Sequence, residues 1–218
     1  MLKFWPLAVA LFAMEAAAAP PDKFTFVSLD PQANQKLDES LGNGIQGNDL
    51  GSLKTGLRTC AAVNFKVGEK FIQLGSKLLK TEKPNKAEGI KVDRKFAKLH
   101  ILHSTEFGEG GAVIEEGTRI AEYKVNYDDG TSATIPVVYG EDVRDWWFYP
   151  NSKEATRGKV GWKGENEYSK TFDAQIRLYV LSWENPHPAK KVASITYAKT
   201  DPDSVAAPFC VAITLESK

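Results

Sequence analysis

Alternation of apolar and polar side chains with a period of two residues runs through this chain almost end to end, and no stretch of comparable length repeats at the helical period. A strand sends successive side chains to opposite faces, so this pattern marks segments that lay one face on a core. Phe24 and Phe26 alternate with polar neighbours. Ile90 to Val92 lead into residues 95–103 (KFAKLHILH), which are apolar enough on both faces for a central strand. Ala121, Tyr123, Val125 and Tyr127 alternate with Glu122, Lys124 and Asn126, and the extended pattern resumes over residues 133–139. Asp128-Asp129-Gly130 lies between these two runs and predicts a β-hairpin, because Asp and Gly tolerate the positive φ of tight turns. Gly158, Val160 and Trp162, then Ile176, Leu178 and Val180, then residues 192–197 and 209–215 continue the series. A helical turn or two within residues 71–79 is the competing signal, and Gly75 interrupts it. About ten short strands with Gly, Pro, Asp and Asn punctuation predict an all-β fold, a single antiparallel β-sandwich or jelly roll.

Composition narrows the class. The 218 residues carry 28 basic and 28 acidic side chains, and 42% of the chain is hydrophobic. That balance excludes an intrinsically disordered chain and supplies no overall basic field for nucleic acid. At the N-terminus, Met1 and Lys3 precede an apolar run, FWPLAVALFAM, and a stretch of alanines up to Ala19. This is the layout of a secretory signal peptide spanning residues 1–18, with one domain over residues 19–218. The apolar run is about half the ~20 residues that span a bilayer, and no later segment is long and apolar enough to be transmembrane. The expectation is a secreted or periplasmic protein without a transmembrane anchor. Lys3 and Glu15 leave together, so the charge balance survives cleavage.

An oxidising compartment permits a disulfide between Cys60 and Cys210. Strand parity sets Cys60 opposite Val63, Phe65 and Val67, and sets Cys210 opposite Phe209, Val211, Ile213 and Leu215. On neighbouring strands the thiols would meet on one sheet surface; otherwise both pack as small hydrophobes. His100 and His103 are three apart in a strand, point to opposite faces, and do not share a metal. His187 stands alone between prolines, so no zinc cluster forms. The chain has no Gly-x-Ser-x-Gly elbow, dinucleotide fingerprint or P-loop, and no cofactor is expected. The loop from Gly42 to Asp49 is rich in oxygen and reads either as a structural calcium site or as an ordinary glycine-rich connection.

The densest chemistry lies in residues 138–149, where Glu141, Asp142, Arg144 and Asp145 precede four consecutive aromatics, Trp146 to Tyr149. Aromatic faces stack on the C–H surfaces of sugars, while carboxylates and a guanidinium hydrogen-bond hydroxyls. Asp142, Arg144, Asp145, Trp146 and Trp147 are therefore candidate ligand residues. The other reading is a structural corner, with one tryptophan inward and Arg144 paired to Asp142 or Asp145. Trp183, ahead of Glu184-Asn185-Pro186-His187-Pro188, is either a further edge of the same binding face or the core side of a rigid turn. Glu141, Asp142 and Asp145 also admit a glycoside hydrolase, which needs two carboxylates flanking the scissile bond.

With the hairpin, the run Val-Tyr-Gly-Glu-Asp-Val-Arg-Asp-Trp-Trp and the turn Trp-Glu-Asn-Pro-His-Pro in hand, the chain resembles secreted bacterial β-sandwich proteins of the galactose-binding-like, jelly-roll type. The resemblance spans most of residues 24–213 and includes Asn48-Asp49-Leu50 and Phe65-Lys66-Val67. It implies carbohydrate binding and, in some relatives, a structural calcium. The leading expectation is an exported, non-catalytic carbohydrate-binding module. A cell-envelope interaction or structural domain without a small ligand is the alternative, and a glycoside hydrolase is third.

Overall fold

The computed structural model describes residues 23–109 and 114–217. The expected signal peptide lies outside them. Among the described residues, fourteen strands make up almost all of the regular structure: β1 (Phe24–Val27), β2 (Gln35–Lys36), β3 (Gly56–Cys60), β4 (Val63–Val67), β5 (Lys70–Gln73), β6 (Lys86–Arg94), β7 (Lys98–Glu106), β8 (Arg119–Tyr127), β9 (Ser132–Val138), β10 (Trp147–Phe148), β11 (Lys159–Gly164), β12 (Gln175–Glu184), β13 (Val192–Lys199) and β14 (Ala207–Glu216). Among the described residues, one short α-helix, α1 (Glu167–Lys170), follows β11, and a 3-10 turn spans Gly51–Leu53.

The strands form a β-sandwich, as the alternation predicts. An eight-stranded sheet runs β10-β12-β7-β14-β5-β2, with β1 beside β14 and β11 beside β12, and a four-stranded sheet runs β6-β13-β8-β9. Every named pairing is antiparallel. The hairpin β8–β9 forms around Asp128-Asp129-Gly130, with Asn126 opposite Ser132 and Gly130 at φ +83°.

One side of the large sheet packs on the small one through Ile101, Tyr179, Leu181, Ile213 and Leu215, against Tyr123, Val125, Ile195 and Tyr197. Its other side packs on the hairpin β3–β4 and on residues 37–53, through Phe71, Phe209, Val211, Ile176 and Leu178 against Leu50, Leu53, Val63 and Phe65. The middle strands β7, β12 and β14 are thus covered on both faces. That accounts for the near-continuous apolar character of residues 99–103 and 209–215. The small sheet keeps one face wet: Tyr123 and Val125 are buried while Lys124 between them is exposed.

Three expectations need correction. The strand expected over residues 95–103 is central but starts at Lys98, and residues 90–92 belong to β6 in the small sheet. Asp93, at φ +53°, starts the crossing. The helical turn within residues 71–79 is replaced at its start by β5, whose Ile72 pairs with Cys210. The cysteine parity fails for Cys60 and holds only in part for Cys210, which lies opposite Phe209 and Val211 but on the same side as Ile213 and Leu215. A tight turn through Ala61 and Ala62, both at positive φ, sets Cys60 across from Val63, and cross-strand partners share a face. A bulge in β14 between Cys210 and Ala212 shifts the alternation there. Cys60 therefore faces the outer hairpin core, and Cys210 faces the core between the two sheets. Both thiols are free, on opposite sides of the large sheet.

Burial pushes the Cys210 thiol up to about 12 and raises that of Cys60 as well. The expected outcome of thiol titration is no reaction in the native protein. Two reactive thiols should appear on denaturation without any reductant, and a disulfide recovered under those conditions would contradict the separation.

Candidate functional site

Where β7 ends, the chain runs Glu106-Phe107-Gly108-Glu109, and the sequence Asp145-Trp146-Trp147 lies against it. A parallel bridge joins Thr105 to Asp145, and the Trp146 amide donates to the Thr105 carbonyl at 2.9 Å. The Asp145 carboxylate then gathers backbone amides from both segments. Oδ2 accepts from Gly108 at 2.6 Å and Glu109 at 3.2 Å, and Oδ1 accepts from Trp147 at 2.8 Å. Gly108 permits this approach, since a Cβ there would lie 2.6 Å from the Tyr139 ring.

The junction fixes the two tryptophans differently. Trp146 is buried, edge-on to Phe209 with ring centres 6.2 Å apart. Trp147 is half-buried, and its Nε1 donates to Asn48 Oδ1 at 3.0 Å. It stands in a group of rings, 5.5 Å from Tyr168 and 6.0 Å from Phe172, which are themselves 5.2 Å apart. The helix α1 holds that group in place. Asn166 caps it, accepting from the Ser169 amide at 2.7 Å, while the Ser169 hydroxyl accepts from the Asn166 amide at 3.0 Å.

These elements enclose a cleft of about 430 Å³. Its walls are Trp147, Tyr149, Tyr168 and Phe172, with Phe107 also lining it, and Tyr149 and Phe172 are exposed. Glu106 and Asp145 form part of its lining although both are buried. Glu106 Oε2 accepts from the Gly42 amide at 2.7 Å, and Oε1 accepts from Gln73 Nε2. Gly42 sits at φ +61°, where a side chain would strain the backbone.

Burial pushes the Glu106 carboxyl up to about 8, and the nearby Asp145 charge adds to the shift. Burial likewise pushes Asp145 up to about 7, against the opposing effect of its three amide donors. Phe107, next to Glu106 in the chain, is held at φ +61°, a conformation that costs energy for a bulky residue.

Of the residues singled out from the sequence, Asp145, Trp146 and Trp147 line this cleft. Asp142 and Arg144 are buried at the corner behind it. Asp142 takes a two-pronged ion pair from Arg157, at 2.6 and 2.7 Å, and accepts from the Val138 amide at 2.8 Å. Arg144 pairs with neither Asp142 nor Asp145; it grips both carboxylate oxygens of Glu116, at 2.7 and 2.8 Å. Trp183 packs on the core between the sheets and borders a separate cleft of about 450 Å³ with Pro136, Asp142 and Lys159.

The sequence reading missed Glu106, Tyr168 and Phe172. The spacing of Tyr168 and Phe172 by four, just after Asn166-x-x-Ser169, is the local signal that was available. The oxygen-rich loop enters as a wall: Asn43 Oδ1 accepts from the Lys80 amide, Asn48 Oδ1 from Trp147 and Asn166, and Asp49 Oδ1 from the Gly51 amide. Among the described residues, no three His, Cys, Asp or Glu side chains are grouped to hold a metal. A third cleft, of about 580 Å³, follows the open side of β1 past Lys66, Lys70 and Arg94. Comparisons with protein-family models, curated proteins and solved structures each returned no match.

Two predictions follow from the buried groups. Glu106 and Asp145 hold their protons in the folded state to higher pH than the ordinary values of 4.5 and 3.8. The stability this contributes is full below those ordinary values and is lost as pH rises through about 7 and 8. The melting temperature should therefore fall progressively from about pH 4.5 to about pH 8, and Glu106→Gln should flatten that fall. Separately, Trp146→Ala should lower stability by ~3–5 kcal/mol in denaturant unfolding, as for a buried tryptophan. Phe172→Ala, on the exposed rim, should cost no more than ~1 kcal/mol.

Proposed function

We propose that this chain is a non-catalytic carbohydrate-recognition module that works outside the cytoplasm and belongs to the galactose-binding-like type of β-sandwich. The observation that carries the reading is the cleft itself. Three rings, Trp147, Tyr168 and Phe172, meet at 5.2–6.0 Å beside two buried carboxyl groups. A sugar ring needs both features, because its C–H faces are apolar and its hydroxyl edges must be hydrogen-bonded once water is expelled. The rings supply the first surface. Glu106 and Asp145 keep lone pairs beyond those already used by their amide donors, and a protonated Glu106 adds a donor.

The site is also pre-formed. Trp147 is fixed by its bond to Asn48, and α1 by its capping box, so little side-chain entropy remains to be lost on binding. The corner behind the cleft supports it mechanically. The pairs Asp142–Arg157 and Arg144–Glu116 fasten residues 142–145, and with them Asp145, to neighbouring segments.

A glycan array followed by titration of the best ligand tests this. Trp147→Ala and Phe172→Ala should each weaken binding about tenfold or more in folded protein. Trp183→Ala should leave it unchanged, because that indole lies in a different cleft. Undiminished binding in folded Trp147→Ala and Phe172→Ala variants would refute the site.

A further inference from the structure

The cleft that binds sugar on the reading above carries acidic side chains and no basic ones among its described lining residues. The acids are Glu106, Glu109 and Asp145. The basic groups nearby are engaged elsewhere. Lys83, which Glu106 feels electrostatically, directs its ammonium to the Asn34 carbonyl and Gln35 Oε1, at 3.1 and 2.9 Å. On α1, Lys170 pairs with Glu167 at 2.9 Å. Among the described residues, neither Glu106 nor Asp145 makes an ion pair, although Asp142, Glu116 and Glu141 at the adjoining corner all do.

The aromatic walls act in the same direction. The face of an aromatic ring carries the negative end of its quadrupole and attracts cations, most strongly for Trp. Trp147, Tyr168, Phe172 and Tyr149 line the cleft together with the three acids. Such a lining disfavours anionic sugars, tolerates neutral ones and attracts an ammonium. We propose that the cleft recognises a protonated amino sugar, with the ring on Trp147 and its ammonium toward Glu106 and Asp145. This rests on the carbohydrate reading and names the sugar class.

One further consequence separates an ammonium from a neutral group. Burial holds Glu106 and Asp145 protonated near neutral pH in the free protein, with Glu109 and each other as the acidic neighbours and Lys83 as the opposing charge. An ammonium placed beside them lowers both values, so binding releases protons.

The test uses the full chain and three oligosaccharides with one linkage and one ring configuration: β-1,4 oligomers of glucosamine, N-acetylglucosamine and glucose. They differ only in the group at C2, which is an ammonium, an acetamide or a hydroxyl. Calorimetry runs at about pH 6, where a sugar amine is charged, in two buffers of different ionisation heat. The amine oligomer should bind about tenfold or more tightly than either of the others and should alone release protons. Trp147→Ala and Glu106→Gln should each reduce that preference. If Glu106→Gln fails to fold, Glu109→Gln on the rim replaces it and should lose part of the preference.

Equal binding of the three oligomers, or tighter binding of a neutral one, overturns the amino-sugar assignment and leaves carbohydrate recognition standing. So does binding confined to other glycans of the array. An amine preference that survives in folded Trp147→Ala places the ammonium elsewhere and overturns the assignment to this cleft. Failure of every glycan to bind overturns both readings together.

Discussion

The carboxylate of Asp145 is the constraint on which the cleft depends. It ties the backbone amides of Gly108 and Glu109, just after β7, to the amide of Trp147, at the start of β10. β12 lies between those strands in the sheet, and the carboxylate bonds extend the short Thr105–Asp145 bridge that joins the two segments directly. The carbonyls of the same corner are used as well. Arg177 donates its amide to the Trp146 carbonyl at 2.7 Å and its Nε to the Asp145 carbonyl at 3.2 Å. With the backbone held on both sides, Trp146 enters the core and Trp147 stands in the cleft wall.

That division sorts the aromatic and charged run into two jobs. Asp142 and Arg144 serve the corner, each buried and held by an ion pair within the protein, while Trp146, buried against Phe209, backs the cleft. Asp145 and Trp147 face the cleft, where they meet residues from three other parts of the chain: Gly42 and Asn48, Glu106, and Tyr168 with Phe172. The corner's ion pairs have partners far along the chain, Glu116 for Arg144 and Arg157 for Asp142. A rigid corner behind an open cleft is the arrangement that positions a ligand-binding wall without filling the site.

Local chemistry was readable in the sequence where one segment decides its own structure. The hairpin at Asp128-Asp129-Gly130 follows from turn residues and alternation alone, and the two-faced burial of β7 from the apolar run at Leu99, Ile101 and Leu102. The requirement that one of Trp146 and Trp147 turn inward was likewise local. What escaped depends on register and on distant pairing. A tight turn at Ala61-Ala62 reversed the assignment of Cys60, and a bulge at Val211 put Cys210 on the side of Ile213 and Leu215, since a single-residue slip exchanges the faces of a strand. Glu106 reads as the polar end of a strand until the loop carrying Gly42 is folded against it, 64 residues away in sequence. The partners of Arg144 were misjudged for the same reason: Glu116 is no closer in sequence than many other acids, and only the fold selects it.

The neutral total charge of the chain conceals how its charges are distributed. At the corner, Asp142 and Arg144 have opposite charges beside them. In the cleft, two carboxyls are buried with amide donors but without a cation. A buried acid of this kind weakens the fold wherever it must ionise, and apolar side chains of similar size would avoid that cost. Amide donors reduce the cost but do not remove it, as the raised values of about 8 and about 7 show. The same deficit changes sign when an ammonium arrives. The charge that the isolated fold resists then gains a partner already aligned by fixed backbone donors, and the proposed ligand stabilises the state it binds.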